Sequence, residues 1–262
     1  LGTTRTRYSI RRKISKGNGF HMFLYKNRII VTGGSGRFGQ ILKKKSHYYK
    51  YNFFFPKKNE LNINKISSIK KYLKAKKPKY LMHLAGLSRP MNIHEKDIKQ
   101  SIDKNIIGTA NITKICSDLK IKLIYMSTCY VYPGRKGNYS EASPLFPINN
   151  YAWSKLGGES AVHLYKNSLI LRASMTEKPF IHKHAFYDFK TNFIFHEDIL
   201  PKIMKLINHK GIINIGGKSQ SVYNFAKFYN SKVKKMSAKK ILGKNTPKNI
   251  SMNINKFLKL SK

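Results

Sequence analysis

The sequence predicts an α/β fold, in which a doubly wound parallel sheet is covered by helices and followed by a small C-terminal lobe. From Arg28 onward, short apolar runs alternate with longer amphipathic stretches, as strands alternate with helices in a parallel sheet. A glycine-rich loop lies between the first such strand and the first helix. The length of 262 residues allows one substantial core with an appended lobe, but not two large independent domains.

The predicted elements start with a strand at Arg28–Thr32 and, after the glycine loop, a helix that extends to about Lys45. The alternation continues with a strand at residues 48–55, a helix at 66–75, a strand at 80–84, a helix at 94–119, a strand at 122–126, a helix at 151–167 and a strand at 169–172. The rest is less regular, with a helix near residues 197–208, a strand at 211–215 and a helix at 222–228. Right-handed crossovers in such a fold place ligands at the carboxyl ends of the strands.

The chain is strongly basic, with a formal net charge of +41. This charge alone would suggest a nucleic-acid partner, but only 9 of the 52 basic residues are arginines, and the lysines form no dense stripe. Because arginine is the residue usually used for bidentate phosphate and base contacts, nucleic-acid binding is not the expected function. The positive charge instead favours the approach of an anionic substrate.

The composition disfavours several classes of protein and site. No apolar run approaches the roughly 18 to 20 residues of a membrane helix, so we expect a cytoplasmic protein with no membrane partner. The two cysteines, Cys116 and Cys129, show no CxxC or Cys/His spacing, so neither disulfides nor a metal site are expected. Residues 1–21 are basic and lack apolar periodicity. They could imitate a transit peptide, but we expect a disordered extension before a natural start at Met22.

The glycine loop has the spacing GxGxxG, with Gly34, Gly36 and Gly39 directly after the first strand. In a dinucleotide site, the first glycine allows a tight turn, the second lets the backbone approach the pyrophosphate, and the third lets helix and strand pack closely. Free N–H groups at the helix N-terminus would face the phosphates. The loop therefore predicts a Rossmann-like dinucleotide site, whose candidate cofactor-binding residues are Gly33, Gly34, Ser35, Gly36, Arg37, Phe38 and Gly39.

The second predicted strand lacks the acidic residue that usually holds the ribose 2′-hydroxyl of NAD. It continues into Phe55-Pro56-Lys57-Lys58, and the first acid is Glu60. Arg37 and Lys57 could instead meet the 2′-phosphate of NADP. The sequence therefore favours NADP(H) as the cofactor, with NAD(H) as the alternative.

A second motif, Tyr151-Ala-Trp-Ser-Lys155, places two polar side chains on one face of a helix. Reduction of a carbonyl by hydride transfer requires a proton donor beside the new alkoxide. A tyrosine can serve if an adjacent ammonium lowers its pKa, and Lys155 can do this and also bind the nicotinamide ribose. A hydroxyl at the end of the fourth strand, Thr128 or Ser127, would hydrogen-bond the substrate carbonyl.

These motifs together resemble those of extended short-chain dehydrogenase/reductases. The resemblance lies in TGGSGRFG, in His83-Leu84-Ala85-Gly86, in Asn105 within DKNIIGTANI, in Ser127-Thr128 and in YAWSKLGGE. More narrowly, STCYVYPGRKGNYSEASPLFPINNYAWSKLGGE and the C-terminal TPKNISMNINKF are similar to dTDP-4-dehydrorhamnose reductases. The similarity is good over roughly residues 28–172 and thin over the rest.

The resemblance implies an NAD(P)-binding Rossmann domain over residues 22–172 and a substrate-binding lobe over 173–262 that partly returns to the first domain. It implies reduction of a nucleotide-linked 4-keto-6-deoxysugar, as in dTDP-rhamnose biosynthesis. By the same resemblance, the catalytic residues are Thr128, Tyr151 and Lys155, and further cofactor-binding residues are Leu84, Ala85, Gly86, Asn105 and again Lys155. Candidate substrate-binding residues are Ser88, Arg89, Ser127, Met175 and Thr176. Homodimers are common in the superfamily, but the sequence does not indicate the oligomeric state.

Two other activities stay open, a nucleotide-sugar epimerase, with or without ketone reduction, and a catalytically idle, cofactor-binding regulatory subunit. Dehydration is disfavoured, because Cys129-Tyr130 stands where the related 4,6-dehydratases carry an Asp-Glu pair. A thiol can serve in epimerisation, but in related epimerase-reductases it lies two residues after the catalytic hydroxyl, where this chain has Tyr130. A one-residue offset along a strand turns a side chain to the opposite face, so Cys129 is expected to be a small packing residue.

Overall fold

The computed structural model describes residues 27–243 and 246–262, and the extension expected at residues 1–21 lies outside these ranges. The strands, in chain order, are β1 (Arg28–Thr32), β2 (Asn52–Phe54), β3 (Tyr80–His83), β4 (Lys122–Thr128), β5 (Ser168–Ala173), β6 (His184–Phe186), β7 (Lys190–Thr191), β8 (Gly211–Ile215), β9 (Gln220–Ser221) and β10 (Lys234–Met236). Six parallel strands form the central sheet in the order β2-β1-β3-β4-β5-β8. This order confirms the predicted doubly wound sheet.

Helices connect the strands of this sheet and cover both of its faces. They are α1 (Arg37–Lys45), α2 (Ile66–Lys76), α3 (Ile93–Lys96), α4 (Ile98–Ser101), α5 (Gly108–Asp118), α6 (Asn150–His163), α7 (His196–Leu206), α8 (Val222–Tyr229), α9 (Ala238–Leu242) and α10 (Asn255–Leu260). Short 3₁₀ turns span Ser46–Tyr48 and Cys129–Val131, and a π-helical segment spans Ile102–Ile107. None of the helices in the described ranges has the length and apolar character needed to span a bilayer.

The two faces of the sheet bury alternate residues of each strand. In β1, Ile29 and Val31 join the apolar cluster under α1 and α7, whereas Ile30 joins the cluster under α2 and α5. In β5, Leu169 lies with the first cluster and Ile170 with the second. Because both faces are covered, β3, β4 and β5 are buried at every position, and apolar side chains fill most of these positions, as is typical of parallel sheets. Full burial of each such side chain contributes about 1.5–3 kcal/mol.

A third apolar cluster, which we call the lobe core, lies beside the carboxyl ends of the strands. It comprises buried residues of the segment between β4 and α6 and of the chain after β5, chiefly Cys129, Val131, Tyr132, Tyr139, Phe180, Phe189, Phe195, Val222, Phe225, Ile250 and Met252. Aromatic rings carry much of it, and those of Tyr132 and Tyr139 stack with centroids 5.0 Å apart. The pairs β6/β10 and β7/β9 form two small sheets in this region. The lobe core therefore contains residues from both sides of Arg172, which is the boundary between the two predicted domains.

Two predicted elements differ from those observed. The strand expected at residues 48–55 is only Asn52–Phe54, because its pairing with β1 begins where Asn52 lies opposite Arg28. The helix expected at residues 94–119 is divided at Asp97, whose φ of −138° leaves the helical region and whose side chain caps the next turn by accepting from Gln100 N. The sequence pattern also did not reveal β6, β7, β9, β10, α9 or α10, which are short and irregularly spaced.

A buried ion pair joins α6 to the sheet. Arg172 in β5 donates to Glu159 Oε1 from Nη2 at 2.6 Å and from Nε at 3.0 Å, and both side chains are almost fully buried. Ser127 Oγ donates to Glu159 Oε2 at 2.5 Å, and Arg172 Nη1 donates to the Tyr132 hydroxyl at 2.8 Å. The Tyr132 hydroxyl in turn donates to Asn214 Oδ1 at 2.7 Å. This network connects β4, β5, β8 and α6 with the loop that precedes α6.

We expect Arg172→Met to lower the free energy of unfolding by about 3–5 kcal/mol, because Glu159 would keep a buried charge without a cation. Urea denaturation of the wild type and the variant measures this difference. The double variant Arg172→Met/Glu159→Leu, which removes both charges, should be less destabilised than the single variant. A single variant as stable as the double one would show that the ion pair is not what holds the helix to the sheet.

Candidate active site

The glycine loop forms a bare backbone cradle at the carboxyl end of β1. Gly33 has a positive φ of 74°, and a Cβ at this position would lie 2.5 Å from Ala85 N, so no other residue fits without strain. A Cβ at Gly39 would collide with Gly33 O. We expected Gly34 to make the tight turn, but Gly33 makes it, and a Cβ at Gly34 would lie 2.8 Å from the Phe55 side chain.

Helix α1 begins directly after this loop, with Gly36 as the N-cap and no side chain capping the first turn. The free backbone N–H groups of the first turn and the positive end of the helix dipole therefore stay available for an anion. This arrangement and the bare backbone of Gly33 fit the pyrophosphate of a dinucleotide.

A buried histidine holds the second loop of the site, which follows β3. His83 Nδ1 lies 2.7 Å from Thr32 Oγ1, and His83 Nε2 lies 3.1 Å from Thr109 Oγ1. Burial lowers the pKa of His83 to about 3, and the charge of Lys155 adds to this effect. The neutral imidazole thus joins β1, β3 and α5, and it brings Leu84 and Gly86 next to the glycine loop.

Asn105, expected to bind the cofactor, instead supports this second loop from behind. Its Oδ1 accepts from Leu87 N at 2.7 Å, and its Nδ2 donates to Leu87 O at 2.9 Å and to Ser154 Oγ at 2.8 Å. These bonds use both N–H donors of its amide, and Asn105 does not line the cavity described below. Its position indicates a role in placing the loop and α6 relative to each other.

The strand β4 and the helix α6 bring the candidate catalytic residues together. Thr128 ends β4 and lies beside Tyr151 at the start of α6, where its hydroxyl acts to lower the pKa of Tyr151. Lys155 follows one turn later on the same face of the helix, with Nζ 4.2 Å from the centroid of the Tyr125 ring. Ser127 points elsewhere, because its hydroxyl donates to Glu159. Of the two hydroxyls considered from sequence, Thr128 is the one beside Tyr151.

Burial dominates the pKa values of this group. It raises the pKa of Tyr151 to about 12, with a contribution from Cys129, although the Thr128 hydrogen bond and the charges of Arg37 and Arg89 oppose it. Burial also lowers the pKa of Lys155 to about 7, against the charge of Glu159, which raises it. We expected Lys155 to lower the pKa of Tyr151, but in the protein alone the loss of solvation outweighs any such effect.

The two loops and the candidate catalytic residues enclose one cavity of about 320 Å³. Of the residues singled out from the sequence, it is lined by Gly33, Gly36, Arg37, Phe38, Gly39, Leu84, Gly86, Ser88, Arg89, Ser127, Thr128, Tyr151, Lys155 and Met175. The remaining ones, Gly34, Ser35, Ala85, Asn105 and Thr176, are not in its lining, and Thr176 lines a second cavity next to it. The motif residues that are far apart in sequence therefore meet at one site.

The sequence did not identify several other residues of this lining, among them Tyr130, Glu177 and His196. Glu177 is the most unexpected of these, because its carboxylate accepts a hydrogen bond from Arg37 and lies 3.4 Å from Arg89 Nη1. Arg37 was expected to reach a 2′-phosphate near the end of β2. Its guanidinium instead donates to Glu177, which follows β5 in the chain. Of the two basic residues expected near the 2′-phosphate, Lys57 is therefore the one that stays a candidate.

Cys129 is almost fully buried, at 2% exposure, in the lobe core, and it also forms part of the cavity wall. Burial raises the pKa of its thiol to about 11, although the nearby hydroxyls of Ser174 and Thr191 act to lower it. The burial of Cys129 was expected to follow from side-chain alternation along a strand, and this reason is wrong. The segment after Thr128 is a 3₁₀ turn, Cys129–Val131, and not a continuing strand, so strand alternation does not set the direction of the thiol.

Comparison with known proteins gives a consistent result. A family model described as RmlD substrate binding domain matches residues 27–177, which is more than half of the 262 residues. Methionine adenosyltransferase 2 subunit beta of Xenopus laevis is 29% identical over 145 residues, which cover 52% of this chain and 42% of that protein. A dTDP-4-keto-6-deoxy-D-glucose reductase of Streptomyces niveus is 26% identical over 137 residues, covering 52% of this chain and 47% of the relative. The matching part thus spans less than half the length of these curated relatives.

Among solved structures, that of dTDP-4-dehydrorhamnose reductase from Bacillus anthracis in complex with NADP is similar over nearly the whole chain. The TM-score is 0.78 at 25% sequence identity, and the alignment covers 89% of this chain and 91% of that one. The similarity therefore includes the lobe, where the sequence resemblance was thin.

The lowered pKa of Lys155 predicts a pH dependence of stability. Its folded value of about 7 lies below the ordinary 10.5, so between these values the unfolded chain binds more protons than the folded protein. Stability should therefore rise with pH in this window, by about 2 kcal/mol between roughly pH 7 and pH 9. Lys155→Met should lose this part of the rise in urea denaturation measured at both pH values.

Two features keep this test specific to Lys155. Lys122, whose pKa burial lowers to about 8, contributes equally to wild type and variant, so only the difference between the two proteins is informative. The matched control Lys114→Met changes an exposed lysine of α5 and should keep the wild-type dependence. If Lys155→Met and the wild type show the same rise, Lys155 is fully charged in the folded protein.

Proposed function

The chain belongs to the RmlD substrate-binding domain family, and we propose that it is a nicotinamide-dependent reductase of a nucleotide-linked 4-keto-6-deoxysugar. One observation carries this proposal: a single cavity is lined by the glycine loop at one end and by Thr128, Tyr151 and Lys155 at the other. A cofactor-binding cradle beside a proton donor is the arrangement that carbonyl reduction requires. The named activity of the Bacillus anthracis protein supports the choice of substrate class.

In this proposal the hydroxyls of Thr128 and Tyr151 bind the carbonyl oxygen of the sugar, and Tyr151 donates its proton to that oxygen. A reduced nicotinamide supplies the hydride when it is bound. Because the pKa of Tyr151 is raised to about 12, the phenol holds its proton at neutral pH, as a proton donor must. Lys155, with a pKa near 7, can hold or release a proton at Nζ in the same range and so can restore the proton of Tyr151.

The cofactor would be held by the backbone of the glycine loop and of the loop at Leu84–Gly86, and NADP(H) is the form we favour. No acidic side chain follows β2 in the position that would repel a 2′-phosphate, and Lys57 is exposed there. Glu60 is the first acid, and its carboxylate already accepts from Lys57 N at 2.8 Å. The named NADP complex of the Bacillus anthracis protein supports this preference.

The second candidate function is that of a cofactor-binding subunit without catalytic activity. It is favoured by the similarity to a protein named subunit beta of methionine adenosyltransferase 2. Against it, Thr128, Tyr151 and Lys155 are all present and meet in one cavity. An epimerase-reductase is a weaker alternative, because burial raises the pKa of the Cys129 thiol to about 11 and disfavours its acting as a base.

The proposed reaction is tested by incubating the protein with NADPH and a panel of dTDP- and UDP-linked 4-keto-6-deoxysugars, following NADPH absorbance and identifying the product. We expect turnover with the wild type. Tyr151→Phe should lower it by about two or more orders of magnitude, the usual contribution of a positioned acid, while cofactor binding changes little. Tyr48→Phe, which alters an exposed tyrosine, should match the wild type.

Other outcomes distinguish the alternatives. Cofactor binding without turnover on any sugar of the panel would favour the non-catalytic subunit. Deuterium from solvent at C3 or C5 of the product would favour the epimerase-reductase. Near-normal turnover by Tyr151→Phe would remove Tyr151 from the chemistry.

We also expect tighter binding of NADPH than of NADH, measured by fluorescence titration. Lys57→Glu should weaken NADPH binding by roughly three- to tenfold through charge repulsion and leave NADH nearly unchanged. The control Lys114→Glu makes the same charge change on α5 and should affect both cofactors little. Equal affinities of the wild type for the two cofactors would contradict the preference.

A further inference from the structure

Three charged side chains from different parts of the chain meet at the edge of the cavity. Arg37 comes from the first turn of α1, Arg89 from the loop after β3, and Glu177 from the segment after β5. Both arginines approach the same oxygen, Glu177 Oε1, Arg37 through a hydrogen bond and Arg89 at 3.4 Å. All three line the cavity that contains the candidate catalytic group.

Several observations indicate that the position of Glu177 is defined by the fold. Both backbone polar groups of the preceding residue, Thr176, are hydrogen-bonded. Its N–H donates to Ile194 O at 2.9 Å, and its carbonyl accepts from His196 N at 3.0 Å. Burial would raise the pKa of Glu177, but the Arg37 hydrogen bond and the charge of Arg89 outweigh it and lower that pKa.

Arg89 also marks the boundary between two cavities. The second cavity, of about 450 Å³, lies in the lobe, and its lining includes Phe180, Phe186 and Phe189 together with the basic residue Lys183. Arg89, Tyr130 and Phe193 line both cavities. A ligand with its reactive sugar near Tyr151 and its other end in the lobe would therefore pass Arg89 at its middle.

We propose that Glu177 is a resident counter-anion of Arg37 and Arg89, and that the diphosphate of the substrate displaces its carboxylate from Arg89. This inference rests on the proposed function in one respect, that the substrate is linked to a nucleoside diphosphate. A diphosphate has the charge and the oxygen geometry to bind guanidinium groups in place of a carboxylate. Glu177 is then a specificity-determining residue, because it opposes anions too weakly charged to compete with it.

The test uses protein saturated with NADPH, so that the cofactor site is filled, and calorimetric titration with dTDP and with UDP. Glu177→Gln keeps the shape of the side chain and removes its charge, so it should lower the Kd of these nucleoside diphosphates about two- to tenfold. Arg89→Gln should raise the Kd, and in the Arg89→Gln background the gain from Glu177→Gln should shrink. The gain should also diminish at raised salt.

Asp118→Asn is the matched control, because it removes one negative charge at the exposed end of α5 and should leave the Kd unchanged. Three results would overturn the inference: an unchanged or higher Kd for Glu177→Gln, an equal gain for Asp118→Asn, or a full gain in the Arg89→Gln background. Failure of every variant to bind dTDP or UDP would overturn it too. If the diphosphates bind in the expected order but no keto-sugar is reduced, the inference stands and the reductase proposal fails.

Discussion

The ion pair between Arg172 and Glu159 determines where the face of helix α6 that carries Tyr151 and Lys155 lies. Tyr151, Lys155 and Glu159 are spaced four residues apart, so they form one stripe along the helix. The last of them is held by Arg172 and Ser127, which belong to the sheet, and this attachment turns the whole stripe toward the carboxyl end of β4. A buried pair of this kind contributes little net stability, but it allows few alternative positions for the helix.

The same burial that holds the helix sets the protonation of the site. Glu159 is the charge that keeps the pKa of Lys155 from falling further, while desolvation lowers it to about 7. Tyr151 keeps its proton because it is buried next to Thr128 and Cys129. The ion pair of Arg37 and Glu177 lies at the edge of the cavity, where both side chains are partly exposed and water screens them. The interior is therefore suited to proton transfer between Tyr151 and Lys155, and the edge to the binding of anions.

The fold could be predicted from sequence to the extent that it depends on local periodicity. The strands at Arg28–Thr32 and Gly211–Ile215 have the predicted bounds, because apolar runs buried on both faces are visible in the sequence. Strand β2 was predicted too long because strand length depends on the partner strand. Tyr49 and Tyr51, which precede Asn52, contact the core without pairing with β1. The break at Asp97 was missed because a single capping side chain can divide a helix whose apolar pattern is continuous.

The sequence by itself determined the glycine loop, the spacing of Tyr151 and Lys155 on one helix face and the parallel sheet, since each follows from short spacings and local backbone preferences. From these patterns the strand-end hydroxyl stayed open between Thr128 and Ser127, and only the family resemblance favoured Thr128. Only the tertiary structure decided the directions and surroundings of the side chains. Asn105 is hydrogen-bonded to Leu87 and Ser154, and Arg37 is hydrogen-bonded to Glu177. Burial raises the pKa of Tyr151, although a neighbouring lysine was expected to lower it. The physical reason is that solvation and long-range charge contacts depend on residues far apart in the chain, which no local pattern encodes.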